Sequence, residues 1–143
     1  MPVAFDPTSD YPLGQKRPDL VTTPSGLPLD DVTVDAMREG RLVWDDLRAT
    51  PETLRAQAQV AEAAGRAPLA DNLARAAELA TIPAETILEI YTALRPHRST
   101  VTELEAWAER LDSDDAPLTA AFVREAAEVY AQRALLGGAN DSI

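Results

Sequence analysis

Eleven prolines divide this chain into two kinds of segment. Six of them, Pro2, Pro7, Pro12, Pro18, Pro24 and Pro28, fall within the first 28 residues. Proline holds φ at about −65°, has no N–H to donate, and pushes its predecessor toward extended geometry. Residues 1–30 therefore read as an extended arm without a helix. Within it, Thr23-Pro24-Ser25-Gly26 fits a β-turn, with proline at the second position and glycine at the fourth. Residues 1–9 stay open between a disordered tail and an ordered lead-in. From Asp10 the arm carries Tyr11, Leu13, Leu20, Val21, Leu27 and Leu29, which gain by lying on a surface, so an ordered strap is expected there. Stiffening by proline lowers the entropy that such a strap loses on docking.

The later prolines start and stop helices. Thr33 is placed to cap a short helix ending at Gly40, and Trp44 to Arg48 add one turn. Thr50-Pro51 is a helix start, a capping residue with proline at the first helical position. That helix runs to about Ala64, where Gly65 and Pro68 break it. Leu69, Leu73, Ala76, Ala77 and Ala80 recur at spacings of three and four in the next. Pro83 opens another, with Ile87, Ile90, Tyr91 and Leu94 on one stripe, and Pro96 closes it. Thr100 and Glu103 have capping-box spacing, and Val101, Leu104, Trp107, Ala108 and Leu111 follow on one face. Pro117 opens a last helix expected to reach about Leu136, before Gly137 and Gly138. This helix has two apolar stripes, Leu118-Phe122-Ala126-Val129 and Val123-Ala127-Tyr130-Ala134, so it is expected to be buried on two sides. No segment alternates with period two, and no repeat is evident.

The fold class is all-α: a small open helical bundle of several helices preceded by an extended proline-rich N-terminal arm. The expected organisation is an arm over residues 1–30, a helical domain over 31–138 and a flexible tail over 139–143. A length of 143 residues suffices for a modest core. That core is lean, because 26 residues are alanine and only 5% are aromatic. Burial stabilises by about 25 cal/mol per Å², so alanine contributes little and part of the burial is expected to come from a partner.

Few chemistries remain open. The net charge of −11 repels phosphate backbones, so no nucleic-acid partner is expected. The absence of cysteine excludes disulfides, thiolate metal sites and a thiol nucleophile. No apolar run approaches the roughly 18 residues that span a bilayer, so no membrane partner is expected. The opening MPVAFDPTSDYPLG has neither the basic nor the long apolar stretch of a secretory signal. There is no glycine-rich phosphate loop and no serine in a nucleophile-elbow context. Catalytic, cofactor-binding and metal-binding residues are each expected to be absent. Asp112, Asp114 and Asp115, beside Glu109, form the densest acid cluster. Capping and helix-dipole contact at the start of the last helix account for Asp114 and Asp115 without an ion.

Arg95, Pro96, His97 and Arg98 gather two arginines and the only histidine at one helix end. The partial negative charge of a helix C-terminus stabilises cations there, so the corner requires no substrate. Arg75 and Glu78, three apart, and Arg124 and Glu128, four apart, are placed for pairing along their own helices. Alternatively Arg75, Arg95, Arg98 and Arg124 reach carboxylates or carbonyls on another chain, which suits the planar guanidinium.

Several segments, in order, are similar to one family: DYPL (residues 10–13), TPSGLPL (23–29), QAQVAE (57–62), RAAEL (75–79), ILEIYTALRP with RST (87–100) and AAFVREAAEVYAQR (120–133). On these the chain resembles the small subunit of adenosylcobalamin-dependent diol and glycerol dehydratases. It departs at Asp71 and Leu73, where the family commonly shows a basic residue and Phe, and at His97, where it usually shows an aromatic. The resemblance implies large, medium and small subunits assembled as a dimer of heterotrimers. Adenosylcobalamin would be bound by the other subunits, and a radical mechanism would convert propane-1,2-diol or glycerol to an aldehyde and water. It implies a non-catalytic role for this chain, packing on the large subunit. The residues expected at that interface are Tyr11, Pro12, Arg75, Tyr91, Arg95, Arg98, Phe122, Arg124 and Tyr130. The expected location is the cytoplasm, with any packaging into a microcompartment directed by a partner subunit. The alternative is a free-standing helical adaptor or regulator without enzymatic activity.

Overall fold

A computed structural model describes residues 4–138, so the expected tail at 139–143 lies outside the described residues. Among those residues there are seven α-helices and no strand: α1 (Leu13–Lys16), α2 (Val34–Arg38), α3 (Pro51–Ala63), α4 (Ala67–Leu79), α5 (Ala84–Ala93), α6 (Val101–Ser113) and α7 (Pro117–Gln132). The all-α class holds. No helix among the described residues is long and apolar enough to cross a membrane. The described residues gather into two compact units, which divide between Ala80 and Thr81.

In the first unit the arm is not free of helix. α1 is a single turn, and Pro18–Leu20 and Leu29–Asp31 are 3-10 turns. The prolines that exclude a long helix stand at the leading edge of these short ones. Pro12 and Pro28 occupy N-cap positions and Pro18 the first turn, where a backbone N–H would lack a partner anyway. Leu13 is buried, and Arg17 is held between Asp10 at 3.0 Å and Asp19 at 2.9 Å. The turn at Thr23–Gly26 forms as expected, the Gly26 N–H donating to the Thr23 carbonyl at 2.9 Å. Buried Asp46 fastens it down. One carboxylate oxygen accepts from the Ser25 N–H at 3.2 Å and the other from the Val43 N–H at 3.0 Å.

α3 and α4 form one helical hairpin, and α6 and α7 form another in the second unit. The two have a common construction. α3 and α6 are each 13 residues long and are capped by Thr50 and Thr100, whose hydroxyls accept from the third helical N–H. Each ends in a Schellman motif with a left-handed residue, Gly65 (φ 72°) or Asp115 (φ 58°). The next residue closes the motif, with Arg66 N–H on Ala61 O and Ala116 N–H on Leu111 O, both at 2.8 Å. Buried Ala70 and Ala77 of α4 correspond to buried Ala120 and Ala127 of α7. All these pairs stand 50 positions apart, which overturns the reading that no repeat is present. Ala-Pro-Leu occurs at 67–69 and again at 116–118, 49 positions apart, so the visible words lie one residue off the structural register. Asp115 is thus part of the α6 stop, and Asp114 is the α6 C-cap; neither caps α7, whose N-cap is Ala116 without a side-chain bond.

α7 stops at Gln132 rather than near Leu136. Ala134 turns left-handed (φ 55°), and the Leu135 N–H closes back on Tyr130 O at 2.8 Å. The expected stripes separate. Val123 and Ala127 are buried, whereas Leu118 and Phe122 are 50% and 40% exposed.

Two outcomes follow for stability. A non-glycine residue in the left-handed region costs about 1–2 kcal/mol, partly offset by the entropy of glycine, so Ala134→Gly is expected to raise the unfolding free energy by up to about 1 kcal/mol in urea titration. Hydrogen bonds from Ser25, then from the Val43 N–H, hold the Asp46 carboxyl below the usual carboxylate range. Its stabilisation is therefore present above the unfolded carboxyl value of about 4 and is lost as pH falls from there through the lower folded value. Asp46→Asn should lower the melting temperature at neutral pH and shrink the acid-induced drop, as followed by circular dichroism from neutral to strongly acidic pH.

Candidate partner interface

The corner after α5 is built from backbone groups. α5 ends at Ala93, and its last carbonyls need donors. Buried Ser99 supplies one, its Oγ donating to Ala93 O at 2.9 Å. The Tyr130 hydroxyl supplies another, donating to Leu94 O at 2.6 Å. His97 turns left-handed (φ 63°) and donates its N–H to Leu135 O at 2.7 Å. Two residues on, Gly137 N–H donates to Ser99 O at 2.8 Å. The approach is so close that a Cβ on Gly137 would lie 2.8 Å from the Arg98 carbonyl carbon. Thr100 and Glu103 complete the expected capping box and start α6.

These contacts turn the corner's side chains outward. Arg95 and Arg98 are exposed and have no ion-pair partner among the described residues. The His97 ring is exposed as well, and the fold uses only its backbone. Arg98 lines an open groove of about 400 Å³ with Leu88, Glu89, Thr92, Glu103 and Trp107. Leu88 and Tyr91, on the outer side of α5, are 65% and 59% exposed.

The other expected interface residues divide by environment. Tyr11 is exposed and, with Pro12, lines a groove of about 550 Å³ whose other wall includes Val60, Ala64, Leu69 and Leu73 of the α3–α4 hairpin. Arg75 donates to Asn72 Oδ1 on its own helix at 2.6 Å. Arg124 does not pair with Glu128. It spans the hairpin instead, to Glu105 at 2.9 Å and Asp112 at 2.8 Å, and these carboxylates, Glu105 foremost, hold its proton more firmly than usual. Tyr130 is half-buried at its bond to Leu94 O. Phe122 is exposed beside Leu118 on the unburied stripe of α7. Tyr91, Arg95, Arg98, Phe122, Arg124 and Tyr130 thus share the second unit, and Tyr11, Pro12 and Arg75 the first.

Sequence reasoning missed the parts played by Ser99 and Gly137 at the corner, and the exposure of Leu88. Gly137 read only as a helix stop. Its second role, admitting the Arg98 backbone, depends on a contact 39 positions away and leaves no local signal. Among the described residues, no group of three or more His, Cys, Asp or Glu side chains is placed to hold a metal ion.

The chain is similar to known proteins over most of its length. Residues 7–137 match the family described as dehydratase small subunit. A propanediol dehydratase small subunit from Citrobacter freundii is 50% identical over 131 residues, covering 91% of this chain and 76% of the relative. A propanediol dehydratase small subunit from Salmonella typhimurium strain LT2 has the same identity and coverage.

The corner is expected to respond to deletions of single contacts. Tyr130→Phe removes one hydrogen bond from a half-buried carbonyl and should cost about 1 kcal/mol in chemical denaturation. Gly137→Ala forces a backbone displacement and should cost about 1–3 kcal/mol, at the level of an overpacked core.

Proposed function

The chain belongs to the dehydratase small subunit family, and from that premise we propose that it is the non-catalytic small subunit of an adenosylcobalamin-dependent diol or glycerol dehydratase. The observation that carries this reading is the 50% identity to two propanediol dehydratase small subunits across 91% of the chain. In the assembled enzyme a vicinal diol, propane-1,2-diol or glycerol, loses water to give an aldehyde. The role assigned to this chain is to pack on and stabilise the large subunit, within paired heterotrimers of large, medium and small chains. We place the enzyme in the cytoplasm.

The cofactor is assigned to the partner subunits, and no catalytic step is assigned to this chain. What the chain offers is surface. Exposed Leu88, Tyr91, Leu118 and Phe122 lie in the second unit with two cations, Arg95 and Arg98, that have no carboxylate partner among the described residues. Such a surface fits a partner presenting apolar pockets and carboxylates. In the first unit, Tyr11 and Pro12, beside their groove, and half-buried Arg75 are assigned as contacts to the large subunit. Arg124 and Tyr130 contribute through the scaffold that they hold in place.

Co-expression with large and medium dehydratase subunits tests the reading. Co-purification and cobalamin-dependent aldehyde formation are expected. The isolated chain titrated with cobalamin should show no saturable change in the absorbance spectrum. Arg95→Ala or Arg98→Ala should loosen assembly by roughly tenfold or more if the partner carboxylate is desolvated, with turnover of the intact complex little changed. His97→Asn keeps a residue at ease in the left-handed region and should change neither stability nor assembly by more than about 0.5 kcal/mol.

A further inference from the structure

Trp44 is 80% exposed, on the 3-10 turn Trp44–Leu47 of the first unit. Residues three apart eclipse one another in a 3-10 helix, so Trp44 and Leu47 (49% exposed) stand on one edge of the turn, with Val43 (54% exposed) beside them. Three neighbouring large apolar side chains facing water are expected where a partner covers them. The turn is also held rigidly from behind. Buried Leu42 precedes it, and buried Asp46 points inward to the Val43 and Ser25 N–H groups. A tryptophan on a pre-ordered turn loses little entropy on docking, the condition under which tryptophan anchors an interface.

The charges nearby indicate what kind of partner fits. Asp45 pairs with Arg48 at 3.5 Å, and Arg41 pairs with Glu39. With these charges matched inside the chain, the turn presents an apolar face that calls for no opposite charge. A second copy of this chain is a poor occupant, since each copy carries −11.

We propose that Trp44 is a principal anchor of the assembly, inserting with Leu47 into an apolar socket on the large dehydratase subunit. This rests on the small-subunit reading given above. Affinity for the purified large subunit would be measured for the full-length wild type and Trp44→Ala, with circular dichroism melts of each. The side chain is mostly in water, so the variant should keep its helix content and melting temperature while binding weakens by about 30-fold or more. Binding within twofold of wild type would overturn the proposal. Failure of the wild type itself to bind the large subunit would overturn the small-subunit reading, and the anchor with it.

A second measurement does not depend on how the alanine variant folds. In a Trp107→Phe chain, Trp44 is the sole tryptophan. Replaced by an analogue that can be excited apart from ordinary tryptophan, it should shift its emission to the blue when the large subunit is added. Unchanged emission in a complex shown to have formed would overturn the anchor. So would a blue shift that appears with rising concentration of this chain alone, because it would identify a second copy as the occupant.

Discussion

Close contact between small side chains is the constraint on which each unit depends. Of the sixteen buried apolar residues, nine are alanine, and Ala70, Ala77, Ala120 and Ala127 lie on the second helices of the two hairpins. Small faces let helices approach closely, but each buried methyl stabilises by only about 0.8 kcal/mol, against about 1.5–3 kcal/mol for a Val, Leu or Phe side chain. The large side chains are mostly elsewhere. Leu88, Tyr91, Leu118 and Phe122 face outward in the second unit, and Val43, Trp44 and Leu47 in the first. That is the distribution expected of a chain whose outer faces are covered on assembly.

With a lean core, polar closures carry much of the specificity. The first helix of each hairpin ends in a Schellman motif, and Arg124 ties α6 to α7 through two carboxylates seven residues apart. The corner after α5 is satisfied by Ser99, Tyr130, Leu135 and Gly137, all from within the second unit. Because backbone and hydroxyl groups supply these bonds, Arg95, Arg98 and the His97 ring are left over. The partial negative charge of the α5 C-terminus is enough to favour cations at this corner of an acidic chain.

Much of the local structure was legible in the sequence. Thr33, Thr50 and Thr100 cap helices as their positions require, because a cap is set by a side chain and an N–H two or three residues away. The same locality misled at Asp115, which looks like a cap for α7 but is the left-handed stop of α6. A short aspartate suits both places, and the choice falls to the Ala116 N–H reaching back to Leu111 O. The arm misled for a related reason: its prolines forbid long helices yet favour the first residues of short ones. At the candidate interface, arginine spacing along a helix was readable, but Arg124 bonds across the hairpin because Glu105 and Asp112 both face it.

By itself, the sequence determined the class, most helix starts and the family resemblance. Those depend on residue types and on spacings within one or two turns. Only the tertiary structure decided which stripe of α7 is buried, where α7 ends, and that two hairpins repeat in a register one residue off the visible words. It alone decided that Gly137 admits the backbone of Arg98 and that Asp46 turns inward while Trp44 turns out. Each of these is fixed by atoms that meet across distant stretches of chain, and a side chain's identity does not reveal what packs against it.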